Sequence, residues 1–210
     1  MNKSVHIKSN GSGEVAQILQ TLSRLYAKHD YETITMEMVE EKLNGLDLYK
    51  HFSSKEELFL HLLMQDIIDW ITAVRDSFND GPYTVQEFSS KWTRIVTCRM
   101  RLFRLLTLLY VVLEKNVSVD SLTWFRLSYK DELASMCAYL SKVLPFMNPV
   151  QAEEFIYFQV ALGNGLQAMT NLSPKHLQAF ENANACSLHG LFDERFKTAI
   201  SNYLMGITSQ

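Results

Sequence analysis

An all-α chain is predicted by three observations: only 8 Gly and 4 Pro punctuate 210 residues, β-branched runs are few, and apolar residues recur at helical spacing between clear caps. At 47% hydrophobic and 20% charged, the chain has the composition of an ordinary globular protein with ample material for a core. Its length fits one domain or two small ones.

The elements follow in order. Residues 1–13, ending in Asn10-Gly-Ser-Gly, read as a loose arm that carries Lys3, His6 and Lys8. No apolar stretch accompanies those charges, so no secretory signal is expected. Val15, Ile18, Leu19, Leu22, Leu25 and Tyr26 define a first helix, which Asp30–Ile34 breaks. Thr35 caps a short second helix with Met36, Val39 and Leu43 on one face, and Asn44-Gly45 ends it in a tight turn. Leu46–Phe52 is expected as a third, very short helix. Ser54 then opens a long helix from Lys55 to about Phe78, with Glu57 returning a bond to the Ser54 amide as a capping box. Its apolar stripe is Leu60, Leu63, Met64, Ile67, Ile71, Val74 and Phe78; Asp66 and Asp69 read as exposed.

After a stop at Asn79–Pro82, Thr84 and Glu87 form a second capping box and open a helix to about Met100. Further helices are expected over Arg101–Lys115, from Ser118 to before Pro145, and from Asn148-Pro149 with Gln151. Ser173-Pro174 opens a short helical turn, 182–190 is loop, and Asp193 caps a last helix to about Leu204.

Composition excludes several classes of function. The longest apolar run, Leu105–Leu113 broken by Thr107, is half a membrane span, so a soluble cytoplasmic protein with no membrane partner is expected. Cys98, Cys137 and Cys186 are far apart and lack metal-ligand spacing, which suits free thiols in a reducing compartment. The net charge of −3 calls for no polyanionic partner by itself. The basic run Lys91, Arg94, Arg99, Arg101 and Arg104 reads as a solvated face. No Gly-rich phosphate loop, Gly-x-Ser-x-Gly or His-Glu-x-x-His is present, so neither an enzyme nor a cofactor is expected. Glu57 and His61 stand four apart without a third ligand, and no metal site is expected.

The second helix, tight turn and third helix form a helix-turn-helix candidate. Lys55, at the first position of a helix, opposes the helix dipole, and a nearby phosphate would account for it. Three segments carry a resemblance: Ile18-Leu-Gln-Thr-Leu22, Tyr31-Glu-Thr-Ile-Thr35, and Leu48-Tyr-x-His-Phe52 followed by Ser54-Lys-Glu-Glu-Leu-Phe59. Over residues 14–64 the chain resembles the TetR family of bacterial one-component regulators. Beyond them it is similar only in length, helix count and the Leu191-Phe-Asp193 start of the last helix.

The resemblance implies a helix-turn-helix DNA-binding domain on residues 1–52 and an effector-binding and dimerisation domain on 53–210. The implied function is transcriptional repression by a homodimer on double-stranded DNA, modulated by a small apolar or aromatic effector. Thr35, Tyr49, His51 and Lys55 match phosphate-contacting positions, and Asn44, Asp47 and Lys50 are left to read bases. The resemblance also implies a ligand cavity, for which Trp92, Met100, Phe103, Trp124, Phe125 and Met136 are the lining, with Gln159 and Asn164 as polar anchors. It further implies a four-helix dimer interface. Phe155, Phe158, Leu162, Gly165, Leu166 and Met169 would supply one helix of it, and Phe196, Ile200, Tyr203 and Leu204 the other.

A second expectation stands beside this one. Residues 1–60 hold seven Lys/Arg against nine Asp/Glu, Glu37, Glu40 and Glu41 crowd the second helix, and the turn region is about two residues short of the family's pattern. Those features suit a TetR-like ligand-binding or protein-interaction module that lacks sequence-specific DNA binding.

Overall fold

The computed structural model describes residues 12–78 and 82–209; the arm with Lys3, His6 and Lys8 and the turn residues 79–81 lie outside them. The fold is all-α, with no strand among the described residues. Its helices are α1 (Ser12–Tyr26), α2 (Met36–Glu40), α3 (Lys55–Ser77), α4 (Val85–Thr97), α5 (Met100–Leu108), α6 (Glu114–Asn116), α7 (Val119–Val143), α8 (Pro149–Thr170), α9 (Pro174–Asn182) and α10 (Phe192–Thr208). Single 3-10 turns cover Tyr31–Thr33 and Leu48–Lys50. None of the helices among the described residues is long and apolar enough to cross a membrane.

Local chemistry starts several of these helices where the sequence places them. The Thr35 hydroxyl accepts from the Met38 amide at 3.3 Å. Thr84 with Glu87, and Asn148 with Gln151, form complete capping boxes, each satisfying two otherwise unpaired amides. Ser173 accepts from the His176 amide and Pro174 follows at the first turn, where its missing donor costs nothing.

Four expectations about where elements start and run are corrected. The third helix shrinks to the turn Leu48–Lys50, because Asp47 caps it by accepting from the Tyr49 amide and the chain must reopen at Ser53-Ser54 for α3. Glu57 returns its carboxylate to the amide and hydroxyl of Ser53, not to Ser54, at 2.8 and 2.6 Å; Ser54 Oγ still accepts from the Glu57 amide. The helix expected over Arg101–Lys115 is interrupted by a π-helical segment, Leu109–Leu113. Asp193 caps nothing: α10 starts one residue earlier, and the Asp193 carboxylate accepts from the Thr97 hydroxyl of α4 at 3.1 Å.

The chain divides into two compact units, one of Met1–Gln65 and Leu109–Phe125, the other of Asp66–Leu108 and Arg126–Gln210. Of the three division points, two fall inside helices, α3 and α7, and the third lies where α5 gives way to the π-helical segment. In the first unit Ile18, Leu22, Ile34, Val39, Leu48, Phe52, Leu58 and Phe59 are buried together, and the Phe59 ring meets the edges of Tyr26 and Tyr31 at 5.1 and 4.9 Å.

In the second unit, α10 packs on α4 and α8, and α5 packs on α8. Stacked rings fill the middle: Phe78 on Phe88 at 4.9 Å and Phe88 on Trp92 at 5.2 Å, with Trp70 edge-on to Trp92 at 5.6 Å. Gly163 lets α8 approach α5, since a Cβ there would collide with the Phe103 ring. Asp66, expected as exposed, is buried and paired with Arg101, whose Nε donates to it at 2.8 Å. That pairing removes Arg101 from the solvated basic face.

Candidate functional site

The helix-turn-helix segment is built by three local devices. Thr35 fixes the start of α2, and Asn44 and Gly45 take positive φ values of 49° and 87° to reverse the chain. Asp47 fixes the start of the 3-10 turn. Leu48 and Phe52 are buried beneath that turn, which leaves Tyr49 outward at 52% exposure with Lys50 beside it. Thr35, Asn44, Asp47, Tyr49 and Lys50 are exposed; His51 and Lys55 are half-buried.

Nearly every polar group in this set already has a partner within the head. The Tyr49 hydroxyl donates to Glu37 at 3.3 Å. Partial desolvation and the Glu37 charge raise the phenol, while Glu37, bonded by its own backbone amide, Thr35 and Tyr49, is held below the usual carboxylate range. Lys50 stands 3.7 Å from Asp47, and His51 Nε2 lies 2.9 Å from Glu14. The Lys55 ammonium donates to the carbonyls of Tyr31 and Ile34 at 2.9 and 3.0 Å and sits 4.0 Å above the Tyr31 ring. Its position at the start of α3 therefore has an intramolecular explanation: two carbonyls of the preceding turn take its charge.

Of the polar cluster behind that helix start, the sequence signalled the Glu57–His61 spacing but not the partners Ser53 and Ser121. Burial pushes the Glu57 carboxyl up, but bonds from Ser53 and Ser121, with the nearby His61, outweigh it and hold the group low. His61 is pushed down to about 4 by burial, against a weaker opposing pull from Glu57. The His61 ring stacks on Trp124 at 3.9 Å.

The eight ligand-lining candidates fall in both units. Trp124 and Phe125 belong to the first unit; Trp92, Met100, Phe103, Met136, Gln159 and Asn164 belong to the second. Trp92, Phe103, Met136 and Gln159 are buried, and Met100 and Asn164 half-buried. In that interior Trp92 Nε1, Gln159 Oε1 and Asn164 Oδ1 are sealed from solvent without a hydrogen-bond partner, as are Trp70 Nε1 and Ser89 Oγ. Buried polar atoms are rarely left so. Ser89 was not singled out by sequence, because a Ser on an apolar helix face has no distinctive spacing.

The dimer candidates separate by burial. Phe155, Phe196, Ile200 and Leu204 are in the chain's own interior, where a partner cannot touch them. Phe158, Leu162, Leu166 and Tyr203 are half-buried, Phe158 stacking on Tyr203 at 4.2 Å. Gly165 and Met169 are exposed, and they continue an outward row at four-residue spacing that begins with Tyr157 and Ala161.

Among the described residues no group of three or more His, Cys, Asp or Glu is placed to hold a metal ion. Residues 64–210 match a family model described as "Tetracyclin repressor-like, C-terminal domain". No match was found among curated proteins.

Proposed function

The chain belongs to the tetracyclin repressor-like family, and from that premise we propose that it is a DNA-binding transcriptional regulator, a homodimeric repressor modulated by a small apolar or aromatic effector. The family match over residues 64–210 carries the reading. The capped α2, the Asn44-Gly45 reversal and the outward Tyr49 and Lys50 support a DNA-facing head. The unpartnered Trp92 Nε1, Gln159 Oε1 and Asn164 Oδ1 support an effector with polar handles on an apolar body. The exposed row Tyr157, Ala161, Gly165 and Met169 supports a second copy packing along α8.

In this mechanism Thr35, Tyr49, His51 and Lys55 meet phosphates, and Asn44, Asp47 and Lys50 meet base edges. An effector acts only through its differential affinity for the DNA-fitting and non-fitting states. Selection of duplexes from a random pool tests the reading: a palindromic sequence should emerge. With Lys55 of both protomers engaged, about two phosphates are neutralised and the salt slope should be about −2.

A second reading, a TetR-like module without sequence-specific DNA binding, is favoured by one observation. Tyr49, His51, Lys50 and Lys55 are already bound to Glu37, Glu14, Asp47 and two carbonyls. No enrichment of any duplex at low salt would select it.

A further inference from the structure

We propose that the concavity beside the C-terminal half of α1 is a binding site for a small phosphoryl-bearing anion of two or more negative charges. This site does not depend on the regulator reading. The cleft measures about 340 Å³ and is lined by Thr21, Arg24, Leu25, Lys28, His29 and Lys42. No carboxylate is among these residues, although Asp and Glu outnumber Lys and Arg nine to seven over residues 1–60. Three of those seven cations therefore face one hollow.

Their environment differs from that of Lys50, His51 and Lys55. Lys50 has Asp47, His51 has Glu14 and Lys55 has two carbonyls. Among the described residues Arg24, Lys28 and Lys42 have no side-chain hydrogen bond or ion pair. The helix dipole favours cations at the ends of α1 and α2. It gives no reason for two such ends to share a concave surface, where like charges repel until a counter-ion joins them.

The shape specifies the size of ligand. Small-molecule sites start at about 300 Å³, so the cleft suits a diphosphate or a small phosphorylated metabolite. Arg24 offers a planar fork for two phosphate oxygens, and Lys28 and Lys42 offer point charges. Leu25 and Thr21 supply a buried floor for an organic portion, and His29 a flanking ring. None of Thr35, Asn44, Asp47, Tyr49, Lys50, His51 and Lys55 lines the cleft. Lys42 lies seven residues beyond Thr35, about 10 Å along a helical path, at the other end of α2.

Calorimetric titration of the full chain with sodium pyrophosphate, at fixed ionic strength, is the test. The expected result is saturable binding at one site per chain, accompanied by a rise in Tm that equivalent sodium chloride does not give. Arg24→Gln, Lys28→Gln and Lys42→Gln should each weaken binding about tenfold. Lys175→Gln, an exposed change on α9, should leave it unaltered. Circular dichroism of each variant checks folding, which these exposed positions should not disturb. Absence of saturable binding overturns the proposal, as does undiminished affinity in the triple variant. It is equally overturned if the triple variant loses affinity for duplex DNA while pyrophosphate never binds, since the cations would then seat a nucleic-acid backbone.

Discussion

Around Trp92 the rings of Trp70, Phe88 and Phe155 all lie within 5.2–5.6 Å between centroids, and no ion pair takes part. Around Lys55 the pattern is reversed: a charge holds two carbonyls, the Tyr31 hydroxyl donates to Glu56 at 2.6 Å, and Glu57 gathers Ser53 and Ser121. The first region is held by area and interlock, which is tolerant of chemistry and intolerant of lost volume. The second is held by directional bonds, where a single proton or charge changes the balance. In such a head, elements as short as five residues and one 3-10 turn can keep a defined geometry without a large core.

The largest effect should come from emptying the aromatic region. Trp92→Ala removes a fully buried ring and should lower stability by about 3–5 kcal/mol in urea unfolding. A loss under 1 kcal/mol would mean that the ring lines an existing space instead of filling the core.

Acid should act mainly on the polar region. His61 titrates near 4 in the fold and at 6.5 when exposed, so between these values the unfolded chain binds the proton first. Its contribution is complete above pH 6.5, falls as pH drops through that window and is gone below 4, a total of about 3 kcal/mol. His61→Phe should flatten that part of the unfolding profile; an unchanged slope would assign the acid sensitivity to other groups.

Lys55→Met should cost about 2 kcal/mol by leaving the Tyr31 and Ile34 carbonyls without their donor. Were the midpoint to stay put while duplex affinity fell evenly across sequences, the ammonium would belong to phosphate instead. The smallest effect is expected at Tyr49→Phe, which deletes an exposed bond to Glu37 and should change stability by less than about 0.5 kcal/mol. A larger change in denaturation midpoint would show that this contact orders the turn.

The same contrast explains what could be read from the sequence. Caps are local, so Thr84 and Asn148 announced themselves through neighbours three residues away, Ser173 through the adjacent Pro174, and Thr35 through its place just before an apolar face. Apolar periodicity located the buried stripe from Leu60 to Phe78 for the same reason. Partnerships across long separations left no such trace. Asp66 finds Arg101, Asp193 finds Thr97 and Lys55 finds the Tyr31 carbonyl, and in each case the bond outranked the residue's local preference. The candidate site was legible as a string around Tyr49, but its internal pairing and the cleft beside α1 needed three dimensions.

The π-helical segment Leu109–Leu113 stores one surplus residue per turn, with Leu109 and Leu113 turned inward and Tyr110 and Val111 outward. Deleting a residue from an ordinary helix rotates everything downstream by about 100°, which scrambles inward and outward faces. Here a deletion would instead let the wide turn relax to α geometry while both flanks keep their phase. Of all the helical stretches in this chain, this one is therefore where a length change should be absorbed most easily.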